Sequence, residues 1–263
     1  MAARTPIAVI KRVWERIAPL QLAERSWDNV GVIVEAPYPE AREQKQVLLT
    51  IDLTPSVCAE ALALPACSAV IAYHPPIFRG LKSFTLGDPL QASLLKLAAR
   101  GISVFAPHTS LDATPNGINT WLVEPFKSDA SAVEVVTATE NPPVGFEGAG
   151  MGKLPSSSTS ACSMVAVPAP ERTIQSVAVC AGSGGGVLRG VDADLLLTGE
   201  MSHHEVLACV AAGQVVVLAN HSNTERPYLA AVLQPWLQRE LDAEGAGWEV
   251  LVSTADADPL RTM

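Results

Sequence analysis

Apolar residues recur along this chain in two alternating rhythms. Ile7, Ile10, Val13, Trp14 and Ile17 return every three or four positions behind Thr5-Pro6. That spacing predicts an amphipathic helix with Thr as N-cap and Pro in the first turn, and Pro19 ends it. Residues 30–34 and 47–51 are short runs of mostly apolar residues and predict strands. Thr54-Pro55 opens a second helix to about residue 64, and residues 69–73 predict a strand. Asp88-Pro89 opens a third helix with Leu90, Leu94 and Leu97 on one face. A strand over 102–106 and a helix over 118–123 follow. Strands that are apolar throughout are buried on both faces, as in a largely parallel sheet covered by helices.

Between residues 126 and 160 Ser, Thr, Ala, Pro and Gly dominate, with Gly145, Gly148, Gly150 and Gly152 clustered. This stretch predicts a crossover made of long loops. The pattern then restarts with strands over 161–167 and 177–181, a glycine-rich loop over 182–190 and a strand over 195–197. A helix over 202–212, a strand over 215–219, a helix from Pro227 to about residue 241 and a strand over 248–252 complete it. The expected architecture is α/β, with mixed, largely parallel sheets flanked by helices. It is divided into two similar lobes, 1–125 and 126–263, with a metal cleft between them to which the C-terminal segment returns.

The chain has 263 residues, of which 48% are hydrophobic and 17% charged, enough to build a sizeable core. Its net charge of −9 gives a mean field that repels phosphate backbones, so nucleic acid is not an expected partner. The longest nearly apolar run, residues 206–219, is shorter than the ~20 residues of a bilayer-crossing helix, so no membrane partner is expected either. The five cysteines are odd in number and without C-x-x-C spacing. They read as reduced core residues of a cytoplasmic protein, with a mitochondrial address for the mildly basic N-terminus as the alternative. The glycine-rich stretches 148–153 and 182–186 fit neither a P-loop nor a dinucleotide fingerprint, so kinase and NTPase readings fall away.

The five histidines carry more information. His74, His108, His203, His204 and His221 all stand at or just after the C-terminal end of an expected strand, the edge where open α/β sheets bind ligands. His74 is followed by the stiffening pair Pro75-Pro76. His108 is four residues before Asp112, and His221 four before Glu225, at the mouth of the next helix. His74, Asp112, His221 and Glu225 form a mixed imidazole and carboxylate set suited to Zn, Fe, Mn or Ni rather than Ca. His203 and His204, adjacent on a helix, point about 100° apart and cannot both bind one metal, so one of them is expected to orient a ligand or carry a proton.

Six ordered stretches resemble one family, the NGG-interacting-factor-three-like family, also called GTP cyclohydrolase 1 type 2-like. They are Ser26-Trp-Asp-Asn-Val-Gly31, Tyr73-His-Pro-Pro-Ile-Phe78, His108-Thr-Ser-Leu-Asp112, Cys180-Ala-Gly-Ser-Gly184, Thr198-Gly-Glu-Met-Ser-His-His204 and His221-Ser-Asn-Thr-Glu-Arg-Pro227. The resemblance implies a two-domain α/β fold, one or two divalent metals per chain and a homo-oligomer, often a hexamer. It implies His74, Asp112 and Glu225 on one metal, and His221 with bridging Glu225 on the other. Tyr73 stands where many bacterial members have a His serving the second metal. The implied function is a metal-dependent hydrolase of a nucleotide-like or other small substrate, with His108 or His204 moving protons. The alternative is a non-enzymatic metal-binding interaction protein or transcription-factor partner.

Overall fold

The structure is a computed structural model that describes residues 5–39, 43–126, 133–155, 164–167 and 174–260. In chain order the first elements are α1 (Pro6–Ile17), β1 (Gly31–Val34), β2 (Lys45–Thr50), α2 (Pro55–Ala63), β3 (Cys67–Ala72), α3 (Pro89–Ala99), β4 (Ser103–Ala106), α4 (Thr109–Ala113) and α5 (Ile118–Val123). They are followed by β5 (Val133–Ala138), β6 (Gly150–Pro155), β7 (Met164–Ala166), β8 (Val177–Ser183), α6 (Gly185–Leu188), β9 (Leu195–Glu200), α7 (His203–Ala211) and β10 (Val215–Leu218). The last are α8 (Arg226–Tyr228), a π-helical turn (Leu229–Leu233), α9 (Gln234–Asp242) and β11 (Trp248–Val252). Among the described residues, no helix is long and apolar enough to cross a membrane.

The strand order is β1-β4-β3-β2-β11 in one sheet and β5-β6-β8-β9-β10-β7 in the other. In the first, β4, β3, β2 and β11 run parallel and β1 pairs antiparallel. In the second, β8, β9 and β10 are parallel, while β5, β6 and β7 are added antiparallel. The expected mixed, largely parallel class is therefore what forms. The chain divides into one unit of Met1–Ser110 with Leu229–Met263 and another of Leu111–Tyr228. This corrects the expected split at residue 125. The C-terminal strand β11 pairs with β2, from Trp248↔Lys45 to Val252↔Leu49, so the last segment belongs to the first unit.

In the first unit β3 is buried at every position, as its apolar run requires. Val57, Cys58 and Ala61 of α2 and Leu94 and Leu97 of α3 pack with Leu48, Val70, Ala72 and Val104 of the sheet. Trp14 of α1 meets Phe105 of β4 with ring centroids 5.2 Å apart. Two of the three Xaa-Pro helix starts cap as expected: Thr54 accepts from the Val57 N–H and Asp88 from the Gln91 N–H. Thr5 makes no side-chain cap bond, and there the apolar face of α1 suffices.

In the second unit the pleat of β8 separates two clusters. Ala178 and Cys180 pack with Leu188, Leu196 and Val216, while Val177 and Val179 face Val123. Three expectations from the sequence need correction. The supposed loop over 126–160 contains the antiparallel pair β5–β6, and Gly150 and Gly152 serve close strand approach. A Cβ on Gly150 would lie 2.3 Å from the Thr137 carbonyl oxygen. The glycine loop after β8 contains the four-residue helix α6. The single helix expected from Pro227 to residue 241 is interrupted by the π turn. Pro235, just beyond it, has no N–H to give the carbonyl four residues back.

Candidate functional site

Parallel pairing in the first unit sets the first histidine. The N–H groups of Tyr73 and His74 donate to the Thr50 and Ile51 carbonyls at 2.9 and 3.1 Å, carrying β3 past its last paired residue. The register Thr50↔Ala72 then brings Asp52 level with His74. Asp52 Oδ1 lies 2.9 Å from His74 Nδ1. With Nδ1–H donated to the carboxylate, Nε2 is the nitrogen that offers a lone pair. This tautomer follows from the bonding pattern.

His108 follows β4 in the same unit with a left-handed backbone, φ 34°. Its Nδ1 is 2.7 Å from Asp28 Oδ1. The Thr109 N–H and hydroxyl both donate to the other oxygen of Asp28. The Asp28 side chain has no exposure to solvent. Burial alone would raise its pKa, but the bonds from His108 and Thr109 outweigh it and hold the carboxyl below its usual range. The His108 ring meets Tyr73, His74, Trp27 and Phe78 edge-on, with centroids 5.4, 5.4, 5.9 and 6.4 Å away.

The second unit carries Asp112, His221 and Glu225. Asp112 sits on α4 and is buried. His221 follows β10 at a turn introduced by Asn220 in the left-handed region, φ 68°. Its Nδ1 is 3.0 Å from Glu200 Oε1, at the end of the neighbouring parallel strand β9. Its Nε2 is 3.4 Å from Glu225 Oε1. Glu225 is 1% exposed. The turn is pinned by Thr224, whose hydroxyl donates to the His221 carbonyl at 2.7 Å and accepts from the Gly182 N–H at 2.8 Å. Gly182, φ 62°, has no room for a side chain: a Cβ would stand 2.6 Å from Glu225 Oε1 and 3.1 Å from His221 Nε2. Asn119 links the end of β8 to α4, accepting from the Ala181 N–H at 2.9 Å and donating to the Asp112 carbonyl at 3.2 Å. Burial pushes the Cys180 thiol far up, and the Asp112 and Glu225 carboxylates add to the shift, so it stays a neutral thiol.

His204 lies elsewhere in this unit. With Gly185, Arg189, Met201, Glu205 and Cys209 it lines a groove of about 370 Å³ beside α7. Ser202 and Glu205 form a capping box there, each bonding the other's backbone N–H.

Six residues were singled out from the sequence. His74 and His108 fall in the first unit; Asp112, His204, His221 and Glu225 fall in the second. Within the second unit His221 and Glu225 come together and His204 lines a different feature. Sequence reasoning missed Asp28, Asp52, Glu200 and the constraint on Gly182. Asp52 and Glu200 each stand at or just past the end of a strand whose parallel neighbour ends in a histidine, so strand order was the missing signal. The donors fit a divalent transition metal: imidazoles turned by carboxylates, and a buried glutamate beside Nε2 over an unsubstituted glycine.

The chain has relatives in sequence and in fold. The family model Duf34/NIF3 (NGG1p interacting factor 3) matches residues 6–259. The chain belongs to this family. It is 44% identical over 271 residues to the protein NIF3 homolog of Schizosaccharomyces pombe, covering 97% of both chains. It is 36% identical to the NGG1-interacting factor 3 of Saccharomyces cerevisiae over 98% of this chain and 97% of that one. The fold is shared with a Bacillus cereus protein related to NIF3, with TM-score 0.79 at 19% identity over 97% and 98% of the two chains.

Proposed function

We propose that this chain binds one or two divalent metal ions through His74, Asp112, His221 and Glu225 and hydrolyses a small, nucleotide-like substrate. The observation that supports this reading best is the repeated carboxylate–imidazole pair. Asp52 turns His74, and Glu200 turns His221, so that each offers Nε2. A divalent ion held by such donors supplies Lewis acidity and brings the pKa of a bound water toward ~7. The protein's own part is to set the donors and to move protons. Asp112 and Glu225 bring the negative charge, and Gly182 keeps the space at Glu225 open. His108, tied to Asp28, is the proton carrier next to His74; His204 is the alternative carrier in the second unit. The same reading includes a homo-oligomer, a hexamer by family resemblance, and a cytoplasmic setting in which the cysteines stay reduced.

A second reading is a metal-binding interaction protein without turnover, as the relatives' names describe an NGG1-interacting factor. It is favoured by Tyr73, which puts a buried phenol beside His74 where a metal-ligating imidazole is the family alternative. A phenol with a reference pKa of ~10 is a poor ligand at neutral pH. The test is elemental analysis and solution mass of protein purified without chelators, followed by screening of the metal-loaded protein on GTP, phosphodiesters and small amides. Turnover abolished by Glu225→Ala in a folded protein supports hydrolysis. Bound metal with no turnover on any of these substrates supports the second reading. Metal content near zero overturns both.

A further inference from the structure

Next to His74, three rings and one buried carboxylate form a group that metal binding does not use. Trp27 and Phe78 are 52% and 48% exposed although both are large and apolar. Their centroids are 5.9 Å apart, and both meet the edge or face of His108. Half of each ring is therefore open to a flat partner, with an imidazole alongside. Flat rings stack on such surfaces whatever their substituents, and the polar neighbour supplies selectivity.

We propose that Trp27, Phe78 and His108 form a subsite for a planar heterocycle carrying an N–H donor, and that Asp28 is the positioning residue that makes His108 its acceptor. Asp28 Oδ2 takes two bonds from Thr109, one from a backbone N–H that can only donate. Oδ1 faces His108 Nδ1 at 2.7 Å. A neutral imidazole must donate to it, and its lone pair then sits on Nε2. The same bonds hold the left-handed backbone of His108, φ 34°, which a non-glycine residue adopts only at a cost.

The inference names the substrate class for the proposed hydrolase and rests on that reading for the reaction. Its test does not, because it is run on metal-free protein. Asp28→Asn keeps shape but not polarity. The Thr109 N–H still needs an acceptor, so the amide oxygen turns to it and the amide nitrogen faces His108 Nδ1. Nδ1 must then accept, and the proton moves to Nε2. Nitrogen-15 NMR at pH 8 reads this directly, with Nδ1–H expected in the wild type and Nε2–H in Asp28→Asn.

Binding is followed by titrating uracil, 1,3-dimethyluracil and dihydrouracil into the protein. Uracil has the flat ring and the N–H groups; the second lacks the N–H donors and the third the aromatic plane. Uracil is expected to bind about fivefold tighter than either analogue, the size of one hydrogen bond or one stacking contact. Asp28→Asn should erase the preference over 1,3-dimethyluracil. Trp27→Leu, at a half-exposed position that leaves the core untouched, should erase the preference over dihydrouracil. Wild-type protein with the proton on Nε2, equal binding of the three probes, or no response of the His108 resonances to uracil would each overturn the proposal.

Discussion

The two units solve one problem in the same way and differ in what they add to it. Each ends a central parallel strand in a histidine and turns it with a carboxylate from the neighbouring parallel strand, Asp52 on His74 and Glu200 on His221. The first unit surrounds its histidine with rings and a second imidazole, His108, itself tied to Asp28. The second unit surrounds its histidine with negative charge: buried Glu225 against Nε2, and buried Asp112 close enough to raise Cys180 alongside it. Orientation is thus shared, while the buried carboxylates not spent on turning an imidazole, Asp112 and Glu225, stand in the second unit. Affinity for a cation should follow the charge, and the first unit should contribute geometry and selectivity.

The sharpest way to break this contrast is to remove charge from one side and an imidazole from the other. Glu225→Gln keeps volume and removes the buried charge. Metal affinity measured with a chelating competitor should fall about a thousandfold, roughly 4 kcal/mol. His74→Gln should cost at least tenfold less than that. Equal losses would mean that the second unit's unshared carboxylate does not dominate cation affinity. Next in size is Gly182→Ala. Its Cβ would lie 2.6 Å from Glu225 Oε1, and its backbone would be held at φ 62°. Metal affinity should fall about a hundredfold, while thermal melts of the metal-free protein should show a loss of stability of only ~1–2 kcal/mol, the strain of one left-handed residue.

The shared half of the design is tested by Asp52→Asn and Glu200→Gln. Carboxylates that turn a ligating imidazole are worth ~10–100-fold in metal affinity. Both should fall in this range, with Asp52 toward the top because it is 38% exposed against 57% for Glu200. An effect from only one of them would show that the likeness between the units is geometrical and not functional.

The same contrast explains what could be read from the chain alone. Helix starts were legible because they depend on neighbours in sequence: Thr54-Pro55 and Asp88-Pro89 each close within four residues. The central strands were legible because they are apolar on both faces. The β5–β6 pair was not, since Gly150 and Gly152 look like loop residues until a second strand lies against them. The return of β11 to β2 was not legible either, because Trp248 and Lys45 are joined only by pairing. At the sites, the histidines and Glu225 announced themselves by standing after strands. Asp52, Glu200 and Asp28 did not, because a carboxylate becomes a partner to an imidazole only once strand order fixes what lies beside it.

The smallest effect separates surface charge from this buried chemistry. In the first unit, Arg12 and Arg16 of α1 bond Glu244, just beyond α9. The hydrogen bond from Arg12, with that from Arg16, lowers the Glu244 carboxyl to about 2. A carboxyl depressed in the folded state stabilises the fold above its unfolded value of ~4.3 and loses that contribution as pH falls toward 2. Both arginines are substantially exposed, so solvent and salt screen most of the attraction. Thermal melts of Arg12→Gln should therefore sit within about 1–2 °C of the wild type at pH 7 and low salt and coincide with it at 0.5 M salt. The gap should also close as pH drops from 4.5 to 2.5, because protonated Glu244 has no charge left for Arg12 to answer. A gap that persists at pH 2.5 or in high salt would assign the Arg12 contribution to packing of its aliphatic stem between α1 and α9 rather than to its charge.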